Sequence, residues 1–144
     1  MGRTLLLYDA DCGFCRVCVA LVLAWDRRRR LRPVALQSEE AEGLLAQMPE
    51  EERMASWHLA RPEGEVQSAG AAFPPLLREL PGAAGLGALA ERFPGGTERA
   101  YALVARNRSS LGRALPESAR RWADAAIERR RENRNSISVD RLSA

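Results

Sequence analysis

An α/β fold is predicted, with one four-stranded mixed sheet in the element order βαβαββα and additional C-terminal helices. Three observations predict it. An unbroken apolar run of strand length, TLLLY at residues 4–8, opens the chain without polar alternation, which is the pattern of a central strand covered on both faces. Helix-length segments follow each of the first two strand-like runs, the crossover pattern that makes those strands parallel neighbours. Two short strand-like runs then lie close enough for a hairpin, and from Gly70 onward the chain reads as helix interrupted at proline and glycine.

The elements follow in order. Residues 4–8 form the first strand, and 9–13 (DADCG) carry turn and N-cap residues. Residues 14–30 read as a long helix, apolar through Val17, Leu21, Val22 and Trp25 and closed by four arginines that suit the negative end of a helix dipole. Residues 31–36 (LRPVAL) form a second strand, with Pro33 more comfortable at a sheet edge than inside. Ser38 caps a helix over 39–48, and 49–53 is an acidic linker. Residues 55–60 and 65–68, with a turn at 62–64, make the hairpin. Breaks at Pro74–Pro75, Pro81–Gly82 and Pro94–Gly96 leave helices at 83–93, 97–108 and 116–132. A single domain over 1–132, its helical extension beginning near 83, is expected, with a disordered tail over 133–144. This element order is that of the thioredoxin fold, so the class expected is thioredoxin-like.

The chain has 144 residues, enough for one domain with a real core, and its 46% hydrophobic and 28% charged residues are globular in kind. The net charge of +3 comes from arginine clusters at 27–30, 120–121 and 129–131, which lack interleaved aromatics, and Trp25, Trp57 and Trp122 are too scattered for a stacking platform. Nucleic-acid binding is therefore not expected. The longest apolar run, 17–25, is shorter than the roughly 20 residues that span a bilayer, and no signal-peptide pattern precedes the acidic residues and cysteines reached by position 12. A cytoplasmic protein without a membrane span is expected.

All three cysteines, Cys12, Cys15 and Cys18, fall within seven residues. In a reducing compartment such a cluster points to redox chemistry or metal binding rather than to a disulfide framework. Cys12 and Cys15 form a Cys-Gly-Phe-Cys pair directly after a strand and at the start of a helix. Helix N-termini leave N–H groups unpaired and carry partial positive charge, so a Cys12 thiolate gains hydrogen bonds and favourable electrostatics for attack on a disulfide. Cys15, one turn further on, is placed to attack the mixed disulfide and release the reduced substrate. Cys12 is thus the expected nucleophile and Cys15 the resolving thiol.

Asp11, or less readily Asp9, is expected to cap the helix, and Asp9 to accept a proton from Cys15 during resolution; the alternative is that both are turn residues. Gly13 keeps the approach open, and Phe14 presents an apolar contact to substrate or packs against the sheet. Cys18 and His58, the latter between Trp57 and Leu59, read as packed residues. The competing class is a non-catalytic binding module whose cysteines, with His58, coordinate zinc or an iron–sulfur cluster. No cofactor or metal is expected for the oxidoreductase; its partners are a disulfide-containing protein or small-molecule thiol substrate and an unidentified electron donor.

The run Asp9-Ala10-Asp11-Cys12-Gly13-Phe14-Cys15 after LLLY resembles the Asp-x-x-Cys-x-x-Cys signature of the DCC thiol-disulfide oxidoreductase family. The likeness continues in SWHL at 56–59, GEVQSAGAAF at 64–73 and YALVARNR at 101–108, and covers roughly residues 4–110. It implies a thioredoxin-like fold with added C-terminal helices and thiol-disulfide exchange as the activity. The chain departs from that pattern in three ways. Ala10 stands where members often have glycine, so a positive φ there is less comfortable. Met54-Ala55-Ser56 occupies the place of the thioredoxin cis-proline, and Cys18 is extra to the motif. Asn107 and Arg108 match the late motif and are expected to hold the helices on the sheet rather than to contact the active-site side.

Overall fold

The computed structural model describes residues 2–142, with side chains to Glu132, so the tail expected over 133–144 lies outside the residues whose side chains are described. Strands β1 (Thr4–Tyr8), β2 (Leu31–Ala35), β3 (His58–Ala60) and β4 (Val66–Ser68) form one sheet in the order β2-β1-β3-β4. β1 runs parallel to β2 and antiparallel to β3, and β3 pairs antiparallel with β4. The mixed sheet, its element order and the helices that follow make the fold thioredoxin-like.

The apolar run behaves as its composition requires. Leu6 and Tyr8 face a core shared with Val19, Leu23, Leu76 and Ile127, whereas Leu7 faces a second core with Val34, Ala41 and Leu45. A strand covered on both faces has no place for a polar residue, and β1 has only Thr4 at its entry. Pro33 sits on the edge strand, where its missing N–H costs no ladder bond.

Helix α1 (Gly13–Trp25) follows β1 and packs chiefly against α7 (Glu117–Leu142). It ends five residues earlier than the arginine run suggests. Asp26, 1% exposed, closes it: its carboxylate accepts the N–H groups of Arg30 (3.1 Å) and Leu31 (2.9 Å), turning the chain into β2. Arg130 of α7 pairs with Asp26 at 2.8 Å and donates to the carbonyl of Leu23 at 2.7 Å. The last turn of α1, the start of β2 and the middle of α7 therefore meet at one buried ion pair.

Further differences from the sequence expectation have local causes. α2 (Glu39–Leu44) is capped by Ser38, whose hydroxyl accepts the Ala41 N–H, but it stops short of Met48. The acidic linker is mostly helix α3 (Glu50–Ala55), because three glutamates in a first turn complement the positive end of the dipole. Pro74 and Pro75 do not break a helix; they lie in the first turn of α4 (Phe73–Glu79), where an N–H has no intrahelical partner to lose. α5 (Ala84–Arg92) and the long α6 (Pro94–Ala114) complete the set. A 3-10 turn at Ala69–Ala72 presses on α6 at Gly70, where a Cβ would lie 2.8 Å from the Glu98 Cα; the Gly70 N–H donates to the Glu98 carboxylate at 2.9 Å. Only glycine allows that approach. Among the described residues, no helix is long and apolar enough to cross a membrane.

Candidate active site

The loop from Asp9 to Cys12 joins the C-terminal end of β1 to the N-terminus of α1. Its shape is held by hydrogen bonds to the Asp9 carboxylate, which accepts the Asp11 N–H at 3.0 Å and the Gln37 side-chain amide at 2.8 Å. The same Gln37 accepts the Ala10 N–H at 3.2 Å and reaches Asp11 at 3.3 Å. Ala10 therefore needs no left-handed backbone; among the described non-glycine residues only Arg29 and Ala69 have positive φ. Gln37 was not singled out from the sequence. Parallel pairing of β1 with β2 supplies the missing signal, since it sets the residues following both strands side by side.

The helix cap is neither Asp11 nor Asp9 but Cys12 itself, in extended conformation (φ −91°, ψ 111°), with Sγ accepting the Cys15 N–H at 3.3 Å. The aspartates cannot cap, because their carboxylates are turned to the loop N–H groups and to Gln37. The expected placement of the first cysteine at the helix N-terminus holds, and the contact is more direct than a shared field: the sulfur takes an orphan amide of the first turn.

Cys15 lies behind Cys12, and both are free thiols. Burial pushes the Cys15 thiol up to about 12, aided by its hydrogen bond with Cys12 and the negative charge of Cys12 and Asp9, with Arg108 opposing. Cys15 thus stays protonated at neutral pH in the reduced protein. Its alkylation by iodoacetamide at neutral pH is expected to run on the order of a thousandfold slower than that of free cysteine and to accelerate steadily into alkaline solution. Peptide mapping by mass spectrometry reads this directly; labelling of Cys15 at the rate of free cysteine would contradict it.

Two cavities flank the pair. One, of ≈ 410 Å³, opens beside Cys12 and Gly13 and is lined by Asp9, Asp11 and several arginines. The other, of ≈ 490 Å³, is apolar, lies beside Cys15 and Cys18, and is walled by Phe14, Trp57, Phe73 and Tyr101. Trp57 and Phe73 meet edge-on at 5.0 Å, with Tyr101 6.1 Å beyond. The Tyr101 phenol is pushed up by burial, with hydrogen bonds to the Trp57 backbone and Ser56 side chain opposing. Ser56 and Trp57, in the stretch where a thioredoxin carries its cis-proline, thus line the apolar side of the dithiol.

Phe14 forms part of this wall and is backed by α6, where a Cβ added at Gly112 would stand 3.4 Å from the Phe14 nitrogen. Gly13 faces Arg120: a Cβ there would meet its Nε at an ordinary 3.8 Å. Cys18 faces the apolar cavity, and its thiol is raised by burial and then by Cys12. His58 is fully buried and lines neither cavity: Nε2 donates to the Arg53 carbonyl at 2.8 Å, which leaves Nδ1 to accept the Ser68 hydroxyl at 2.5 Å. Burial lowers its pKa. Among the described residues, no three His, Cys, Asp or Glu side chains converge as a metal ligand set.

The late motif needs correction. Asn107 is exposed and donates to the Leu103 carbonyl at 2.7 Å within its own helix, so it does not hold the helices on the sheet. Arg108 instead lines both cavities and acts electrostatically on Cys15. Of the two roles open to Arg108 it takes the active-site one; nothing local in the sequence distinguishes an interface arginine from one that reaches a site nearly a hundred residues upstream.

No curated protein and no solved structure matched the chain. The family model for DCC1-like thiol-disulfide oxidoreductases matches residues 6–114, from β1 through the last turn of α6, and so includes the dithiol loop, the segment around Gly70 and Arg108. The chain belongs to the DCC1-like thiol-disulfide oxidoreductase family.

Proposed function

We propose that the protein reduces a disulfide, of a protein or a small molecule, by exchange through Cys12 and Cys15. The Cys12 thiolate attacks one sulfur of the substrate, forming a mixed disulfide and expelling the first substrate thiolate. Cys15 then gives its proton to the Asp9 carboxylate and attacks Cys12 Sγ, closing the Cys12–Cys15 disulfide and expelling the second thiolate. Two electrons pass from the dithiol to the substrate, and an external thiol reductant restores the dithiol. Asp11 and Gln37 hold the loop, Gly13 and Phe14 border the entering disulfide, and the dithiol serves without a bound cofactor.

The observation that carries this reading is the asymmetry of the pair. Cys12 Sγ sits on the helix tip and lines the polar cleft, while Cys15, half-buried like Cys12, faces the apolar cavity as a protonated thiol. That is the order of events an exchange needs, with an attacking sulfur that meets substrate and a second that stays idle until the mixed disulfide forms. The test compares disulfide reduction by the wild type and by Cys12→Ser with dithiothreitol as reductant. Equal rates above background would refute the reading.

A further inference from the structure

The cleft at Cys12 holds more positive charge than its own carboxylates answer. Arg16, Arg108, Arg113 and Arg120 line it with Asp9 and Asp11. Arg16 is committed, donating to the Ala10 carbonyl at 2.8 Å and pairing with Asp124 at 3.0 Å. The other three make no ion pair among the described residues. Arg113 reaches only the Ser110 hydroxyl, at 3.4 Å, and Arg120 donates to the Gly112 carbonyl while its buried Nε finds no hydrogen-bond partner. Arg108 makes neither a hydrogen bond nor an ion pair among the described residues, although its charge is felt at Cys15. Both aspartates of the cleft are already engaged by Gln37. Guanidinium groups gathered in a half-buried cleft with donors to spare are matched by carboxylate oxygens, which they bind with charge-assisted hydrogen bonds.

The placement ties that charge to the chemistry. Arg120 stands over Gly13 between the two cysteines, and Arg108 borders both cavities. The cleft, ≈ 410 Å³, has the size of a small-molecule site rather than of a protein footprint. We propose that the substrate is a low-molecular-weight disulfide carrying carboxylates, held by Arg108, Arg113 and Arg120 with its sulfur–sulfur bond at Cys12. This deepens the exchange reading and rests on it for the reaction, though not for the binding.

Three small disulfides of similar length test it, with dithiothreitol as reductant and its direct reaction subtracted: the dianion dithiodipropionate, neutral bis(hydroxyethyl) disulfide and dicationic cystamine. In the wild type kcat/KM is expected to fall in that order, by about tenfold from first to last at low salt, and the spread to shrink in high salt. In Arg108→Gln/Arg113→Gln the spread should close mainly through a higher KM for the dianion. Equal kcat/KM for the three, or a variant that slows all of them alike, would overturn the proposal. Binding is read separately by calorimetry with suberate, whose two central methylenes replace the sulfurs, on Cys12→Ser. Suberate is expected to bind, and to bind several-fold more weakly when the two arginines are replaced. Failure of suberate to bind overturns the anion cleft, whereas suberate binding without turnover of any disulfide by the wild type overturns the exchange reading alone.

Discussion

Cys12→Ser is expected to lose disulfide reductase activity by at least about a thousandfold while folding as the wild type does. The two consequences separate because Cys12 has two roles. Its sulfur is the attacking atom, and a serine hydroxyl, ionised only far above neutral pH, cannot replace it in exchange. Its side chain is also the N-cap of α1, accepting the Cys15 N–H, and serine is among the best residues for that position. The variant should therefore melt within a few degrees of the wild type while reducing no substrate. Thermal unfolding and the steady-state rate, measured on one preparation, read both. An inactive variant that is also unfolded would assign Cys12 a structural role that its cap geometry does not predict, and an active one would remove it from the chemistry.

Asp26→Ala is expected to destabilise the protein by about 3–5 kcal/mol. The carboxylate is fully buried and serves three donors: the Arg30 and Leu31 N–H groups and the Arg130 guanidinium. Alanine leaves an uncompensated cation and the buried Leu31 N–H in the interior, and takes its acceptor from the part-buried Arg30 N–H. The Arg130 guanidinium retains the carbonyls of Leu23 and Leu31, which oppose full collapse of the site but do not neutralise it. Urea unfolding gives the measurement. A loss below about 1 kcal/mol would show that the pair is not the tether it resembles. Asp26 lies at the far end of α1 from Cys12, so the activity of the remaining folded molecules should change little.

What could be read from the sequence was what local chemistry decides. Residues 4–8 declare a central strand because five residues without a polar alternation can be buried on both faces; Ser38 declares a cap, and residues 62–64 a turn. The first cysteine of the pair could be placed at the tip of a helix because a strand, a turn and an apolar helical stretch bracket it. His58 could be placed in the core because both its neighbours are apolar. Long-range partners could not be read. Nothing near Asp26 announces an arginine 104 positions away, and the arginines at 27–30 offered a simpler account of the helix end. Gln37 reaches the dithiol loop through the β1–β2 pairing, which the crossover predicts without pointing to the residue beyond β2, and Arg108 through helix packing, which leaves no local pattern. The cap was misassigned for a related reason. Aspartate is the stronger cap in isolation, but here both aspartates are already occupied by the loop and by Gln37, so the sulfur takes the amide.

The central claim is the order of the two sulfurs, and trapping tests it most directly. Cys15→Ser, incubated reduced with a small disulfide and analysed by intact-mass and peptide mass spectrometry, is predicted to accumulate a stable mixed disulfide on Cys12, with none on Cys18. The wild type under the same conditions should pass on to the Cys12–Cys15 disulfide. A mixed disulfide found on Cys15 when Cys12 is replaced instead, with none formed by Cys15→Ser, would contradict the account.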